Sequence, residues 1–123
     1  MSGFLGHFEL ESAITHNEDE YASGRTSSIL IKTSDLRVLV VNLTAGTEIR
    51  EHTAPGPITI QPIRGRIQVR AGAEVADLGI GELVAIEALV PHAVTALEES
   101  SFLLTIAWTD HPATDVDARG LHG

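Results

Sequence analysis

The sequence contains no cysteine, and its only lysine is Lys32. The absence of cysteine excludes disulfides and thiolate metal ligands. With 8 basic and 17 acidic side chains the net charge is -9, which argues against a nucleic-acid partner, since phosphates require clustered lysine and arginine. No apolar run approaches the ~20 residues that a membrane span requires, and the first residues lack the basic and apolar regions of a signal peptide. We therefore expect a cytoplasmic protein that binds neither nucleic acid nor membranes.

Glycines and prolines separate short runs rich in Ile, Val, Leu and Thr, a spacing typical of an all-β sandwich or barrel. A chain of 123 residues with 43% hydrophobic side chains is long enough to bury one core. We expect a single domain over 1–123, with an N-terminal arm at 1–27, a barrel core at about 28–108 and a polar tail at 109–123. Eight strands are predicted: Ser28–Thr33, Leu36–Ala45, Ile58–Arg64, Arg66–Arg70, Glu74–Leu78, Leu83–Ile86, Ala93–Leu97 and Phe102–Trp108.

A short helix is predicted only in the acidic segment Thr15–Ser23, where Thr15 and Glu18 have capping-box spacing. Two runs within the predicted strands, Leu36–Val41 and Phe102–Trp108, are apolar at nearly every position. A strand with one face in water alternates apolar and polar residues instead, so we expect both faces of these strands to be covered. Because a long apolar strand in a monomer is an aggregation hazard, we expect a homodimer.

Two regions of the chain combine glycine, histidine and proline at fixed spacings. In the first, Gly46 is followed after five residues by His52, then by the turn Ala54-Pro55-Gly56-Pro57, by Ile58 and, six residues later, by Gly65. In the second, Gly81 precedes Pro91-His92. Two prolines around a glycine make a stiff turn, which predicts that Ala54–Pro57 joins two strands at the mouth of the barrel.

In order and spacing these regions resemble the two motifs of the cupins. The first cupin motif is Gly, five residues, His-x-His, three or four residues, Glu, six residues, Gly; the second is Gly, five residues, Pro-x-Gly, two residues, His, three residues, Asn. Here Ala54 replaces the second histidine and Ile58 the glutamate, while Glu87, Leu89 and Ala96 replace the Pro, Gly and Asn. The resemblance implies an all-β jelly-roll barrel, the double-stranded β-helix of RmlC-like proteins.

The resemblance also bears on metal binding. Residues two apart on a strand face the same side, so the cupin His-x-His places two imidazoles in the barrel together, where cupins bind Fe, Mn, Ni or Zn. Of the four ligands only His52 and His92 remain, and a catalytic zinc site usually keeps three protein ligands. The resemblance therefore implies either no metal or a weakly held divalent metal on these two histidines. Glu48 is four residues before His52 and can share its face, whereas Glu51 should face the other way. From elsewhere in the chain, His111 or a carboxylate of the tail is a conceivable third ligand.

The interior of the barrel is expected to form the ligand site, since ligand pockets are mostly apolar with a few placed polar groups. Ile58 and Ile60 have the same strand parity, which predicts that both face inward while Thr59 and Gln61 face away. The predicted pocket residues are His52, Ala54, Ile58, Ile60, His92 and Trp108. The alternative for the two histidines is a structural pair, hydrogen-bonded to each other, to neighbours or to water.

Three functions remain open from the sequence. The first is a small-molecule-binding cupin with an apolar pocket and a degenerate metal site. The second is a metal-dependent enzyme of the dioxygenase, decarboxylase or isomerase type, with His52, His92 and an unrecognised third ligand. The third is a metal-free isomerase or epimerase with one histidine as general base. A bound cation would distinguish the first two, and a histidine–carboxylate contact would support the third.

Overall fold

The computed structural model describes residues 3–15, 21 and 23–108, and most of them lie in strands. The strands are β1 (Arg25–Lys32), β2 (Leu36–Leu43), β3 (Glu48–His52), β4 (Ile58–Arg64), β5 (Ile67–Ala71), β6 (Glu74–Leu78), β7 (Val84–Ile86), β8 (His92–Ala96) and β9 (Ser100–Ala107), preceded by a 3-10 helix at Leu10–Ala13. Eight of them correspond to predicted strands, with ends that agree within three residues, and β3 has no predicted counterpart. The predicted helix at Thr15–Ser23 lies mostly outside the described residues, as does the tail at 109–123.

The nine strands form two antiparallel sheets. One has the strand order β1-β2-β9-β4-β7 and the other β3-β8-β5-β6, so most neighbouring strands are distant in sequence. The predicted all-β jelly-roll fold, the double-stranded β-helix, is confirmed. In the described part of the chain no helix is long and apolar enough to cross a membrane.

The core lies between the two sheets and is built from alternate residues of their strands. Along β4 the buried residues Ile58, Ile60 and Pro62 alternate with the half-buried Thr59 and Gln61, as the strand parity predicts. The β5 and β8 side chains of the facing sheet close the core from the other side. The pairing of β4 with β9 shifts register only after Pro62, where the strand has a bulge. The alternation of inward-facing residues from Ile58 to Pro62 is therefore not interrupted.

The outer face of the five-stranded sheet is partly covered by the chain's own N-terminal arm. Asn42 is fully buried on this face. Its amide nitrogen donates to the Ala13 carbonyl and to Thr26 Oγ1, and its amide oxygen accepts from Ser101 Oγ and from the Thr15 N–H. Some of the two-sided burial expected for β2 therefore arises within one chain. The homodimer stays a prediction.

The glycines that set the motif spacing are required by the backbone. Gly46 and Gly65, at the ends of the first motif, have φ angles of 81° and 73°, a region that is costly for any residue with a Cβ. Leu89, at a position where the cupin motif has glycine, keeps the left-handed conformation with a φ of 67°. The motif spacing therefore places left-handed residues at the turns of the barrel. These turns are kept even where the metal-ligating side chains of the cupin motif are replaced.

Candidate functional site

A cavity of about 210 Å³ lies between the two sheets and is partly open to solvent. Its inner wall consists of buried side chains such as Val41, Ile60 and Phe102, and its rim includes the exposed Arg25 and His52. The cavity is larger than the ~150 Å³ apolar cavity that is known to hold one benzene molecule. It can therefore take a single ring or a short branched chain.

All six predicted pocket residues lie on the wall of this cavity: His52, Ala54, Ile58, Ile60, His92 and Trp108. They come from the end of β3 and the turn after it, from β4, from the first residue of β8, and from the residue that follows β9. The structure therefore brings together residues that are up to 56 positions apart in sequence. Ligand binding by these residues stays a prediction.

Sequence reasoning missed much of the remaining wall. Phe102, Leu104 and Ile106 line the cavity with Trp108, and their period-two spacing along β9 was an available signal that they share its face. Arg25 also lines the cavity. The sequence predicts that Arg25 belongs to the N-terminal arm, because Arg25–Ser27 is polar and carries no apolar strand signal.

His52 and His92 are directly opposite each other in the antiparallel pair of β3 and β8. Their ring centroids are 4.2 Å apart, with an angle of 61° between the ring planes. His52 Nδ1 lies 2.8 Å from the Arg50 carbonyl oxygen, and His92 Nδ1 lies 2.9 Å from the Val90 carbonyl oxygen. Because a carbonyl can only accept, each Nδ1 carries a proton, and a neutral ring then keeps its lone pair on Nε2. Both imidazoles are thus oriented by the backbone.

The residues around this pair do not complete a metal site. Ala54 and Ile58, at the positions of the missing cupin ligands, line the cavity with apolar side chains. Within residues 3–15, 21 and 23–108, no three His, Cys, Asp or Glu side chains are grouped so that they could hold a metal ion. The conceivable ligand His111 lies outside the described residues. Since a catalytic site usually requires three protein ligands, we derive no reaction through a metal here.

The two acidic residues nearest in sequence to His52 do not line the cavity. Glu51 accepts a hydrogen bond of 2.9 Å from Arg70 Nη1, and both side chains are about half exposed. Glu48 lies in a separate surface groove beside Arg25 and Arg50. Among the described residues, therefore, neither histidine has the carboxylate contact that would support a general base.

The turn Ala54–Pro57 packs against the end of β9. The Ala107 N–H donates to the Pro57 carbonyl over 3.0 Å, and a Cβ added at Gly56 would overlap the Ala107 carbonyl oxygen. Only glycine fits at this contact. The prediction that the turn joins two strands is confirmed, since β3 ends at His52 and β4 begins at Ile58.

Trp108 closes the cavity beside this turn. Its backbone N–H donates to the Asp35 carbonyl over 2.8 Å, and the guanidinium carbon of Arg37 lies 4.3 Å from the ring centroid, a cation–π contact. The indole is therefore held in place on the cavity wall. Because Trp108 is the single tryptophan of the chain, its fluorescence reports on the surroundings of one position on the cavity wall.

No protein-family model matches the chain, and no curated protein matches it in sequence. Solved structures do match it. A cupin superfamily protein from Desulfitobacterium hafniense has a TM-score of 0.74 at 15% identity, covering 86% of this chain and 94% of that one. A conserved protein of unknown function from Streptococcus pyogenes has a TM-score of 0.74 at 23% identity, covering 89% of this chain and 93% of that one.

An enzyme is among the similar structures as well. Oxalate decarboxylase from Bacillus subtilis matches with a TM-score of 0.66 at 19% identity, over 76% of this chain and 28% of that one. At these identities the likeness concerns the fold. The two facing antiparallel sheets, the spaced glycine turns and these structural matches together show that the chain has the cupin fold.

Proposed function

We propose that the protein binds a small, largely apolar molecule in the cavity between its sheets, with His52 and His92 as polar contacts. The cavity carries this proposal: its walls are mainly aliphatic and aromatic, and both imidazoles lie on the wall. This composition is that of small-molecule sites in general, where a few polar groups orient a ligand that apolar walls bury.

The likeness to oxalate decarboxylase supports a small-molecule site, because that protein's name describes a reaction on a small molecule within the same fold. Proteins with one fold carry many activities, so the choice between binding and catalysis depends on the site itself. A general base would be supported by a carboxylate beside one of the histidines, and the described contacts place backbone carbonyls there. Binding is therefore the function that the geometry supports best.

A weakly held divalent metal on the two histidines is the second candidate. The hydrogen bonds at both Nδ1 atoms favour it, because they leave Nε2 as the free nitrogen of each neutral ring. Elemental analysis of tag-free protein, loaded in turn with Fe, Mn, Ni and Zn, tests this candidate. Near-stoichiometric metal that is lost in both His52→Ala and His92→Ala would establish the metal site and reopen the enzyme functions.

Binding is tested by titrating the protein with benzyl alcohol and benzamide, two neutral single-ring compounds, while Trp108 emission is followed. We expect saturable changes in wild type, abolished by Ala54→Phe, because the added ring occupies the cavity beside Pro55. Leu97→Phe is the matched control, since Leu97 is exposed and lies away from the cavity. Absence of any saturable change in wild type, or equal binding in Ala54→Phe, would contradict the proposal.

A further inference from the structure

We propose that the ligand of this cavity is a small apolar carboxylic acid, bound as its anion with its carboxylate on the guanidinium of Arg25. The inference rests on the proposed function and names the chemical class of the ligand. It follows from the position of Arg25 in the sheet, from the composition of the cavity wall, and from the partners of the arginines.

Arg25 is on the inner face of the five-stranded sheet, although it is charged. Residues directly opposite each other in an antiparallel pair have their side chains on the same face. Arg25 is opposite Leu43, and Ser27, two residues on, is opposite Val41. Leu43 and Val41 belong to the hydrophobic core. The side chain of Arg25 therefore leaves β1 on the face that points between the sheets. Arg25 lines both the rim of the cavity and the adjoining surface groove that contains Glu48.

The Arg25 guanidinium has no partner among the described residues, in contrast to two other arginines. Arg64 donates to the Thr15 carbonyl and to the Tyr21 hydroxyl, and Arg70 forms an ion pair with Glu51. None of the hydrogen bonds or ion pairs formed by described residues includes the Arg25 side chain. Its planar fork of N–H donors matches a carboxylate in two parallel hydrogen bonds. Within the described part of the chain no side chain takes up these donors, Glu48 of the adjoining groove included.

The rest of the cavity wall explains why the anion should carry an apolar body. Among the described residues that line the cavity, Arg25 alone carries a permanent charge, and no carboxylate is present there. Buried apolar side chains such as Ile58, Val94 and Phe102 form the inner wall. A ligand with a carboxylate at the rim and one ring or a short branched chain inside would pair with the guanidinium and fill the apolar interior. A neutral apolar ligand would leave the guanidinium unused.

Another explanation for Arg25 is protection of the sheet edge. β1 is an edge strand, and inward-pointing charges on edge strands discourage pairing with another chain. That role needs no ligand, and it predicts that Arg25 has no influence on which small molecules bind. The two explanations therefore differ in a measurable quantity, the preference for an anion over a neutral molecule of the same shape.

The test compares benzoate with benzamide, which have nearly the same shape and differ in charge, by Trp108 fluorescence and by calorimetry at low salt. We expect wild type to bind benzoate about tenfold more tightly than benzamide, since the charge-assisted contact lies at a partly solvated rim. Arg25→Gln should remove this preference, because benzoate loses its charge-assisted contact and benzamide has none to lose. Arg50→Gln, a loss of the same charge from an arginine of β3 that does not line the cavity, should keep the preference.

The remaining outcomes separate the two proposals. Equal affinity for benzoate and benzamide in wild type, or an unchanged preference in Arg25→Gln, would overturn the inference and leave small-molecule binding in place. Equal loss of preference in Arg25→Gln and Arg50→Gln would also overturn it, because the effect would then be one of net charge. No binding of either compound to wild type would overturn both proposals together.

Discussion

His52 and His92 face each other across one strand pair, yet their environments differ. His92 is 2% exposed and counts among the buried polar residues, whereas His52 is exposed at the cavity rim. Each uses Nδ1 to donate to a backbone carbonyl two residues earlier in the chain. For His92 this hydrogen bond joins a buried ring to the carbonyl of the half-buried Val90, so His92 has a structural role in addition to its position on the cavity wall.

The two histidines should therefore differ in their contribution to stability. We expect His92→Ala to lower the free energy of unfolding by about 2 kcal/mol, because it opens space in the buried wall and leaves the Val90 carbonyl without its partner. His52→Ala should cost less than about 1 kcal/mol, since solvent can replace the lost hydrogen bond. Urea unfolding followed by circular dichroism measures both. Equal losses in the two variants would refute this division of roles.

Leu89 has a strained backbone and an exposed side chain. Its φ is 67°, the residue is 66% exposed, and its N–H donates to the Ala54 carbonyl over 2.9 Å. This hydrogen bond ties the loop before β8 to the turn at the cavity. The loop therefore keeps a glycine-type conformation without the glycine, at a cost of about 1 to 2 kcal/mol for a residue with a Cβ.

Replacing Leu89 tests this strain directly. Leu89→Gly and Leu89→Ala remove nearly the same side chain, and only the glycine relieves the left-handed backbone. We expect Leu89→Gly to be more stable than Leu89→Ala by about 1 kcal/mol, the steric relief being partly offset by the greater freedom of glycine in the unfolded chain. Thermal and urea unfolding of the two variants measure the difference. A Leu89→Ala variant at least as stable as Leu89→Gly would show that the backbone is not strained there.

At the scale of elements, some strands could be predicted from composition and others could not. β4, with the sequence ITIQPIR, begins and ends where predicted because Ile58 and Ile60 alternate with polar residues between clear turn signals. β3, with the sequence EIREH, has a single aliphatic residue, Ile49, and its other four side chains are exposed. It is a strand because β8 pairs with it, and that tertiary contact is not visible in a short polar run.

The turn between β3 and β4 holds the cavity wall in place through the contact of Gly56 with the end of β9. Any side chain at this position would collide with the Ala107 carbonyl oxygen, and a backbone atom at the end of a paired strand cannot move aside as a flexible side chain can. Because Ala107 and Trp108 are adjacent, a shift of the turn would displace the tryptophan as well. Gly56 is therefore expected to affect both stability and the cavity.

We expect Gly56→Ala to lower the free energy of unfolding by at least about 2 kcal/mol, as overpacking against a rigid neighbour does. The Trp108 emission of the folded variant should also change. Gly3→Ala is the control, because a Cβ there meets no atom within 4 Å, and its stability should match wild type. A Gly56→Ala variant with wild-type stability and emission would show that the turn is free to move away from β9.

Across the whole molecule, the spacing of the motifs predicted the fold and the location of the cavity, while the wall depended on long-range contacts. Gly46, Gly65 and His92 could be aligned with cupin positions by counting residues. Arg25 could not, because its inward direction follows from its pairing with Leu43, 18 positions later in the sequence. Residues placed by the spacing of a motif are therefore recoverable from sequence, and a residue whose direction is set by how its strand pairs with another is not.

The predicted homodimer concerns the outer face of the five-stranded sheet. Val40 and Leu103 are opposite each other in the pairing of β2 with β9 and point outward, since their neighbours Val41 and Leu104 belong to or pack against the core. Leu103 keeps partial exposure within one chain. Phe4 and Leu5 of the N-terminal arm are 84% and 71% exposed. The partly exposed Leu103 and the exposed Phe4 and Leu5 are apolar side chains that association with a second copy would bury.

Sedimentation equilibrium over a range of micromolar concentrations tests the dimer. We expect wild type to sediment at twice the mass of one chain, and Leu103→Lys to shift it toward the monomer, because burying an unpaired ammonium in an apolar interface is unfavourable. Val75→Lys is the matched control, since Val75 is 58% exposed on β6 of the other sheet. A monomeric wild type would show that the outer face needs no second copy. A Leu103→Lys variant that remains dimeric and folded would place the interface elsewhere.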